Sequence, residues 1–246
     1  MKIGAIIQAR MTSTRLPGKV MIEVGGKTML SHVIERVKQS RMIDEIIIAT
    51  TTNKEDAVIC DEAQKCGVQW YRGSEDDVLD RYFRTAITFG ITDIVRITSD
   101  CPLIDPHIVD KVIHYYLGHT YDIVSNTGAG TEFRTYPRGL DCSIACFGQY
   151  KRAWMKARGY QREHVTPYIF ENTKAVKVIQ NDTDLSHHRW TLDTTEDLMF
   201  INKVYEYLYH GQHDFYLKEI LETVERHGLS SINSHVKQKS VHDPNF

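Results

Sequence analysis

An α/β fold built on a mainly parallel sheet is predicted by three observations. Short apolar runs alternate with longer amphipathic segments along most of the chain. Glycines stand where several of the amphipathic segments stop. Cations and hydroxyls gather directly after the first apolar run, at what would be the carboxyl end of a strand. Alternation at this pace is the pattern of βαβ units, and open α/β sheets bind ligands at that edge.

In chain order, the apolar run Ile3 to Ile7 is a buried strand. Val24-Gly25-Gly26-Lys27 is a turn, and the helix after it begins near Thr28, because Met29, Leu30, Val33, Ile34 and Val37 recur at helical spacing. Glu45–Thr51 is a second buried strand, and 55–66 a helix stopped by Gly67. Residues 68–71 form a short strand. The stretch 76–89 is a helix stopped by Gly90, with Ser74 as its expected N-cap. Asp93–Thr98 is a strand and Pro106–Leu117 a helix. The second half is less regular. Strands are expected at 121–125, 140–147 and 175–179, helices at 150–157, 162–170, 195–209 and 215–227. A long loop spans 128–139, and a polar tail follows residue 230. With no repeat, low-complexity tract or interdomain linker, the expectation is one domain over 1–246 with a less regular second lobe at about 121–190.

Bulk properties exclude several function classes. The 246 residues are 41% hydrophobic, enough for a sizeable core. A net charge of −2 and a pI near 6.6 lack the basic surplus of a nucleic-acid binder. No stretch reaches the length of a membrane span, and the first apolar run, interrupted by Arg10, is too short for a signal peptide; the expected setting is cytoplasmic. Five cysteines without a C-x-x-C pair are read as reduced thiols, with Cys101, beside Asp100, the one to watch. Twelve histidines show no zinc spacing. A P-loop is excluded because Met21 stands where its first glycine would be, and Phe133 fails the dinucleotide fingerprint beginning at Gly128.

Chemistry concentrates in three segments. The first is the loop after the first strand, with Arg10, Ser13, Thr14, Arg15 and Lys19 punctuated by Pro17 and Gly18. Arginine forks match phosphate oxygens and lysine adds a point charge, so the loop reads as a triphosphate cradle. No acidic residue lies near these cations in sequence, so their charges are expected to need an anion from a ligand. The second segment places Asp100 just after the Asp93–Thr98 strand, where it either holds a cation or caps a turn ahead of Pro102. In the third, a short apolar stretch ends at Asp193 before a helix; Asp193 either reaches the sheet edge or, like Thr194, caps that helix, while Glu196 and Asp197 suit its dipole. Magnesium takes one or two carboxylates with phosphate oxygens and water, which makes Asp100 and Asp193 the candidate metal ligands. Arg72 and Gly73, also following a strand, are placed for ligand contact.

These segments resemble a known family. The stretches QARMTSTRLPGK from Gln8, RGSEDDVLDR from Arg72, RITSDCPLID from Arg96, REHVTPY from Arg162 and RWTLDTTED from Arg189 look like those of the SpsF-like cytidylyltransferases of spore-coat polysaccharide biosynthesis. That family is related to the CMP-KDO and acylneuraminate cytidylyltransferases. The similarity runs to about Asp197, with a weaker echo over 232–239. It implies a three-layer α/β/α sandwich of the nucleotide-diphospho-sugar transferase type, a mostly parallel sheet and a homodimer. It implies magnesium-dependent transfer of CMP from CTP to a sugar-type acceptor, with pyrophosphate released. Arg10, Arg15 and Lys19 match the family's triphosphate loop, and with Asp100 they are the expected catalytic groups. Asp100 and Asp193 match its metal positions. Arg72, Gly73 and Ser74 match the region near the nucleoside, where they and Ala9 are expected to offer backbone and side-chain contacts alongside Ser13. Arg162 and His164 match a segment near the sugar. Two other readings stay open: a transferase of the same fold with another nucleotide or a non-sugar acceptor, and a sugar-nucleotide-binding subunit without turnover.

Overall fold

The structure, a computed structural model, describes residues 1–128 and 134–238; residues 129–133 of the expected long loop and the tail beyond 238 lie outside the described residues. The chain opens with β1 (Ile3–Gln8), followed by a hairpin of β2 (Glu23–Val24) and β3 (Lys27–Thr28), whose turn uses Gly25 and Gly26 at φ 58° and 79°. Thr28 then caps α1 (Met29–Val37) by accepting from the Ser31 amide, as the turn-then-helix reading expects. Next come β4 (Glu45–Thr51), α2 (Ala57–Lys65), β5 (Gln69–Gly73), α3 (Val78–Phe89), β6 (Asp93–Thr98) and α4 (Pro106–Leu117). The second half supplies β7 (Ile123–Ser125), β8 (Ser143–Cys146), α5 (Phe147–Lys156), α6 (Tyr160–His164), α7 (Pro167–Glu171), β9 (Val176–Val178), α8 (Thr195–Leu208) and α9 (Leu217–Arg226). Among the described residues no helix is long and apolar enough to cross a membrane.

The seven-stranded sheet runs in the order β5-β4-β1-β6-β8-β7-β9. It is parallel except around β8, which is antiparallel to both β6 and β7. Successive side chains on a strand point to opposite faces, and here that splits the core in two. Ala5, Ile7, Ile48, Val95, Val124 and Ile144 pack under α1, α2, α4, α8 and α9. Ile6, Ile47, Ala49, Ile94, Ile123 and Ala145 pack under α3, α5 and α7. The central strands are buried on both faces, the outcome expected of continuous apolar runs in a parallel sheet, and the result is the three-layer α/β/α sandwich.

Four local expectations are corrected. The α3 helix starts at Val78 rather than residue 76, because Asp77 is its cap, accepting from the Asp80 amide; Ser74 instead accepts from the Asp77 amide one turn earlier. The helix expected over 162–170 breaks into α6 and α7 at Val165, whose φ of 75° is unusual for a β-branched residue; Pro167, lacking an amide hydrogen, starts the second piece. The strand expected over 140–147 contracts to β8, and α5 begins at Phe147 instead of Tyr150. The apolar stretch before Asp193 forms no strand, only an isolated bridge between Arg138 and Arg189.

That bridge places the second acidic segment. The Arg138 amide donates to the His188 carbonyl (3.0 Å), the Trp190 amide to the Arg138 carbonyl (2.7 Å) and the Leu192 amide to the Asp100 carbonyl (2.8 Å). Residues 188–192 are thereby stitched between the loop before β8 and the loop after β6. The crossing is possible because position 139 is glycine: at φ 99°, an added Cβ would lie 2.5 Å from the Trp190 carbonyl carbon and 2.7 Å from the Thr191 nitrogen. Gly139→Ala is therefore expected to be much more destabilising than Gly90→Ala. At Gly90 the added Cβ meets nothing within 4 Å, so only the left-handed backbone cost of about 1–2 kcal/mol applies. Thermal unfolding of the two variants checks this; at about 2–4 °C per kcal/mol for a chain of this size, the Gly139 variant should melt well below the other.

Candidate active site

The register places the loops after β1, β4, β5 and β6 at one edge of the sheet, since Gln8 pairs with Ala49 and Thr98, and Thr51 with Gly73. Because β8 runs antiparallel and Ser143 pairs with Arg96, the residues before β8 reach the same edge. Lys19 lies in a short 3₁₀ turn, Lys19–Met21, which turns its side chain back across that edge. Its Nζ donates to Asp100 Oδ2 (3.1 Å), Asp193 Oδ1 (2.9 Å) and the Leu192 carbonyl (2.7 Å). Arg15 Nη2 pairs with Asp193 Oδ2 at 3.0 Å, and Arg189 Nη2 meets that same oxygen at 3.0 Å. Arg189 also takes Asp197 through Nε and Nη2 at 2.8 and 2.9 Å. Three cations and three carboxylates thus form one connected, charge-balanced cluster.

Both alternatives for the acidic positions are decided by geometry. Asp100 does not cap a turn: its carboxylate faces Lys19 and accepts from the Thr98 hydroxyl at 2.5 Å. Asp193 does not cap α8 either; Thr194 does, in a capping box with Asp197. The expectation that the loop's cations lack acidic partners is corrected, because the partners come from residues 81 and more positions away: Arg15 and Lys19 meet Asp193 and Asp100. Arg10 faces Glu75 at 3.6 Å, and Glu75 also accepts from the Thr12 hydroxyl and, at 2.5 Å, from Asn53 Nδ2.

The other expected contacts are mostly braces. The Ala9 amide donates to the Ala49 carbonyl at 3.2 Å, and the Ser13 amide to Met11 at 2.9 Å. Arg72 turns its guanidinium onto the Thr51 and Asn53 carbonyls at 2.8 and 2.6 Å. The Gly73 carbonyl accepts from Thr52, and the Ser74 carbonyl from Arg81. Arg162 is held by Asp77 at 2.7 Å and the Trp154 carbonyl at 2.8 Å, while His164 ends α6, half-buried. Cys101 is buried; burial, with Asp100 beside it, pushes its thiol well up, which makes it unreactive.

Several residues escape a reading by motif alone. Asp141 is paired by both arms of Arg134 at 2.6 and 2.8 Å. Burial on its own would raise its carboxyl; Arg134 and Arg138 outweigh this and hold it below the ordinary range. Among the described residues no carboxylate pairs with Arg138, which is half-buried and flanked by Arg134 and Arg189. Nothing in the sequence marks these groups, whereas Arg189 and Asp197 carry a signal in their four-residue spacing about Asp193.

As a cation site the cluster suits magnesium in one form. Among the described residues no group of three or more His, Cys, Asp or Glu side chains is arranged to hold a metal. Asp100 and Asp193, however, converge on a single positive centre, the Lys19 ammonium. Two carboxylates are what magnesium takes when phosphate oxygens and water complete its shell.

Burial alone would lower the Lys19 ammonium's pKa; Asp100 and Asp193 outweigh it and raise it. Burial would likewise raise the Asp100 carboxyl, but Lys19 and Thr98 outweigh it and depress it. The signs follow. The Asp100 contribution is present above the ordinary carboxylate value of about 4 and is lost as pH falls through the depressed value. The Lys19 contribution is full below about 10.4 and is lost as pH rises through the raised one. Lys19→Met should cost about 3 kcal/mol, the low end for breaking a buried pair. That deficit should stay constant from about pH 5 to 9 and narrow at more acid pH; urea unfolding across this range checks it.

Comparison with known proteins gives consistent matches. A family model described as cytidylyltransferase matches residues 4–232. The chain is 36% identical over 249 residues to the uncharacterized protein MJ1063 of Methanocaldococcus jannaschii, covering 99% of each. It is 33% identical over 211 residues to the spore coat polysaccharide biosynthesis protein SpsF of Bacillus subtilis, covering 82% of this chain and 85% of that one. The structure of a cytidylyltransferase from Leptospira borgpetersenii superposes with a TM-score of 0.88 at 33% identity, covering 98% of this chain and 100% of the other.

Proposed function

This chain belongs to the cytidylyltransferase family, and on that premise we propose that it transfers CMP from CTP to a hydroxyl of a sugar or sugar acid. The setting is the making of a surface polysaccharide or glycoconjugate, in the cytoplasm and as a homodimer. The observation that carries the reading is the convergence of Arg15, Lys19, Asp100 and Asp193 on one point at the carboxyl edge of the sheet. In the reaction the acceptor oxygen bonds to the α-phosphorus, the bridge to the β-phosphate breaks, pyrophosphate leaves with the electron pair, and the hydroxyl proton passes to solvent.

Arg15 and Lys19 stabilise the triphosphate and the charge that grows on the leaving pyrophosphate, by electrostatic positioning rather than covalent chemistry. Their carboxylate partners fix both side chains at the edge before the nucleotide arrives. Arg10, tied to Glu75, extends the positive rim toward β5. Asp100 and Asp193 are the residues that would hold magnesium, which when bound supplies charge neutralisation at the phosphates. Arg138 is a cation available to an acidic group on the acceptor, which favours a sugar acid. The preference for cytidine rests on the family match; Ala9, Arg72, Gly73 and Ser74 line the adjoining edge, but many of their polar groups already hold backbone partners.

Three measurements test the assignment. With a competent acceptor, pyrophosphate release should favour CTP over UTP, ATP and GTP by about ten- to a hundredfold, the range given by mispairing one buried acceptor. Equal use of all four triphosphates would remove the cytidylyl assignment. Asp193→Asn, which keeps the shape of the buried site, should lower turnover by about 10²- to 10³-fold; native turnover in a folded variant would exclude Asp193 from the chemistry. Arg15→Ala should weaken CTP binding by calorimetry, and Arg15→Lys should restore little of it, lacking the fork. Unchanged affinity would reduce the loop to a surface feature.

A further inference from the structure

Arg189 and Asp197, which hold Asp193, are themselves held by the segment after α9. Beyond α9, the short 3₁₀ turn Leu229–Ile232 seats Leu229 in the core beside α8. Two polar side chains go further. Asn233, 2% exposed, donates through Nδ2 to the Arg189 carbonyl and to Asp197 Oδ1, each at 2.9 Å. Gln238 Oε1 accepts from Arg189 Nη1 at 2.6 Å. The remaining arms of Arg189 lie on Asp197 and on Asp193 Oδ2.

Asp197, with no exposed surface, does more than balance Arg189. Its Oδ2 also accepts from the backbone amides of Asp193 and Thr194, each at 3.0 Å. Asp193 is therefore oriented twice, at its backbone by Asp197 and at Oδ2 by Arg189, which leaves Oδ1 facing Lys19. A buried ion pair adds little net stability over well-packed apolar side chains, whereas the effect of this one on the direction of Asp193 is immediate.

We infer that residues 229–238 form a positioning clamp for the second carboxylate. Arg189 is the positioning residue; Gln238 holds its guanidinium, and Asn233 holds its backbone carbonyl and its partner Asp197. The inference rests on the reading of Asp193 as a group in the transfer reaction. Loss of one such outer partner of a metal-holding carboxylate typically costs about 10- to 100-fold in metal affinity or activity.

The test uses the full chain with four substitutions: Asn233→Ala, Gln238→Ala, Gln238→Glu and Asp193→Asn. Turnover and the KM for CTP are measured, together with the affinity for Mn²⁺ in the presence of CTP by electron paramagnetic resonance, and the melting temperature of each. Both alanine variants should lose about 10- to 100-fold in kcat with the KM for CTP within about twofold of native, and Mn²⁺ binding should weaken in parallel. Gln238→Glu, which keeps an oxygen acceptor for Arg189, should return both quantities to within about twofold of native. Folded alanine variants with native turnover and Mn²⁺ affinity overturn the clamp while leaving the active-site reading intact, provided Asp193→Asn is inactive. If Asp193→Asn is itself fully active, that reading fails and the clamp falls with it. A loss in Gln238→Ala that tracks a fallen melting temperature and is not recovered by Gln238→Glu also overturns it. Should Asn233→Ala not fold, the Gln238 pair decides.

Discussion

Two carboxylates brought to the same edge of a sheet repel each other, and in this protein the repulsion is cancelled by a lysine. Asp100 and Asp193 arrive from segments far apart in the chain, yet an oxygen of each lies within 3.1 Å of the Lys19 nitrogen. At an effective dielectric of about 20, two like charges some 6 Å apart would cost about 3 kcal/mol. The ammonium turns that cost into attraction. The rest of the arrangement follows: the β1 loop is drawn down onto the sheet edge, the 188–193 segment is held against Asp100, and Arg15 and Arg189 meet on the remaining oxygen of Asp193.

Much of the first half was legible in the sequence because its signals are local. Apolar runs buried on both faces mark β1, β4 and β6, and α4 begins at Pro106 as read, with Asp105 found as its cap in the structure. The roles of Asp100 and Asp193 were narrowed to two readings each by the chemistry of their neighbours. What could not be read is whatever depends on distant partners. Nothing near Arg10 announces Glu75, and nothing near Asp141 announces Arg134 as a bidentate partner facing the site rather than an ordinary surface pair. The antiparallel turn of β8 decides that, by reversing which end of the strand reaches the ligand edge. Likewise Ser74 is as good a cap as Asp77 by type; in the structure Asp77 caps α3 and is also held by Arg162.

The second half of the chain is less regular for a physical reason. Its segments serve the sheet edge as well as the core, to which they contribute Tyr136, Leu140, Trp190 and Leu192. The 134–142 stretch and the 188–193 stretch hydrogen-bond to each other across Gly139 instead of joining the sheet, and Val165 holds a backbone conformation that interrupts a helix. Such departures from local preference gather where a structure must present side chains rather than bury them. Much of the energetic support comes from the regular half, whose central strands β1, β4 and β6 are buried between layers of helices.

The charge balance of the cluster has a consequence for what the cleft ignores. Lys19, Arg15 and Arg189 are already matched by Asp100, Asp193 and Asp197, so this cluster by itself presents little net field to a small anion. Inorganic phosphate or a simple carboxylate would have to open these pairs and would leave buried carboxylates without compensation. A ligand that carries its own divalent cation offers a replacement to each side of the broken pairs at once: oxygens for the cations, and positive charge for the carboxylates. On the proposed reading, the internal ion pairs would thus act as a filter, disfavouring occupation of the basic loop by small anions that bring no cation.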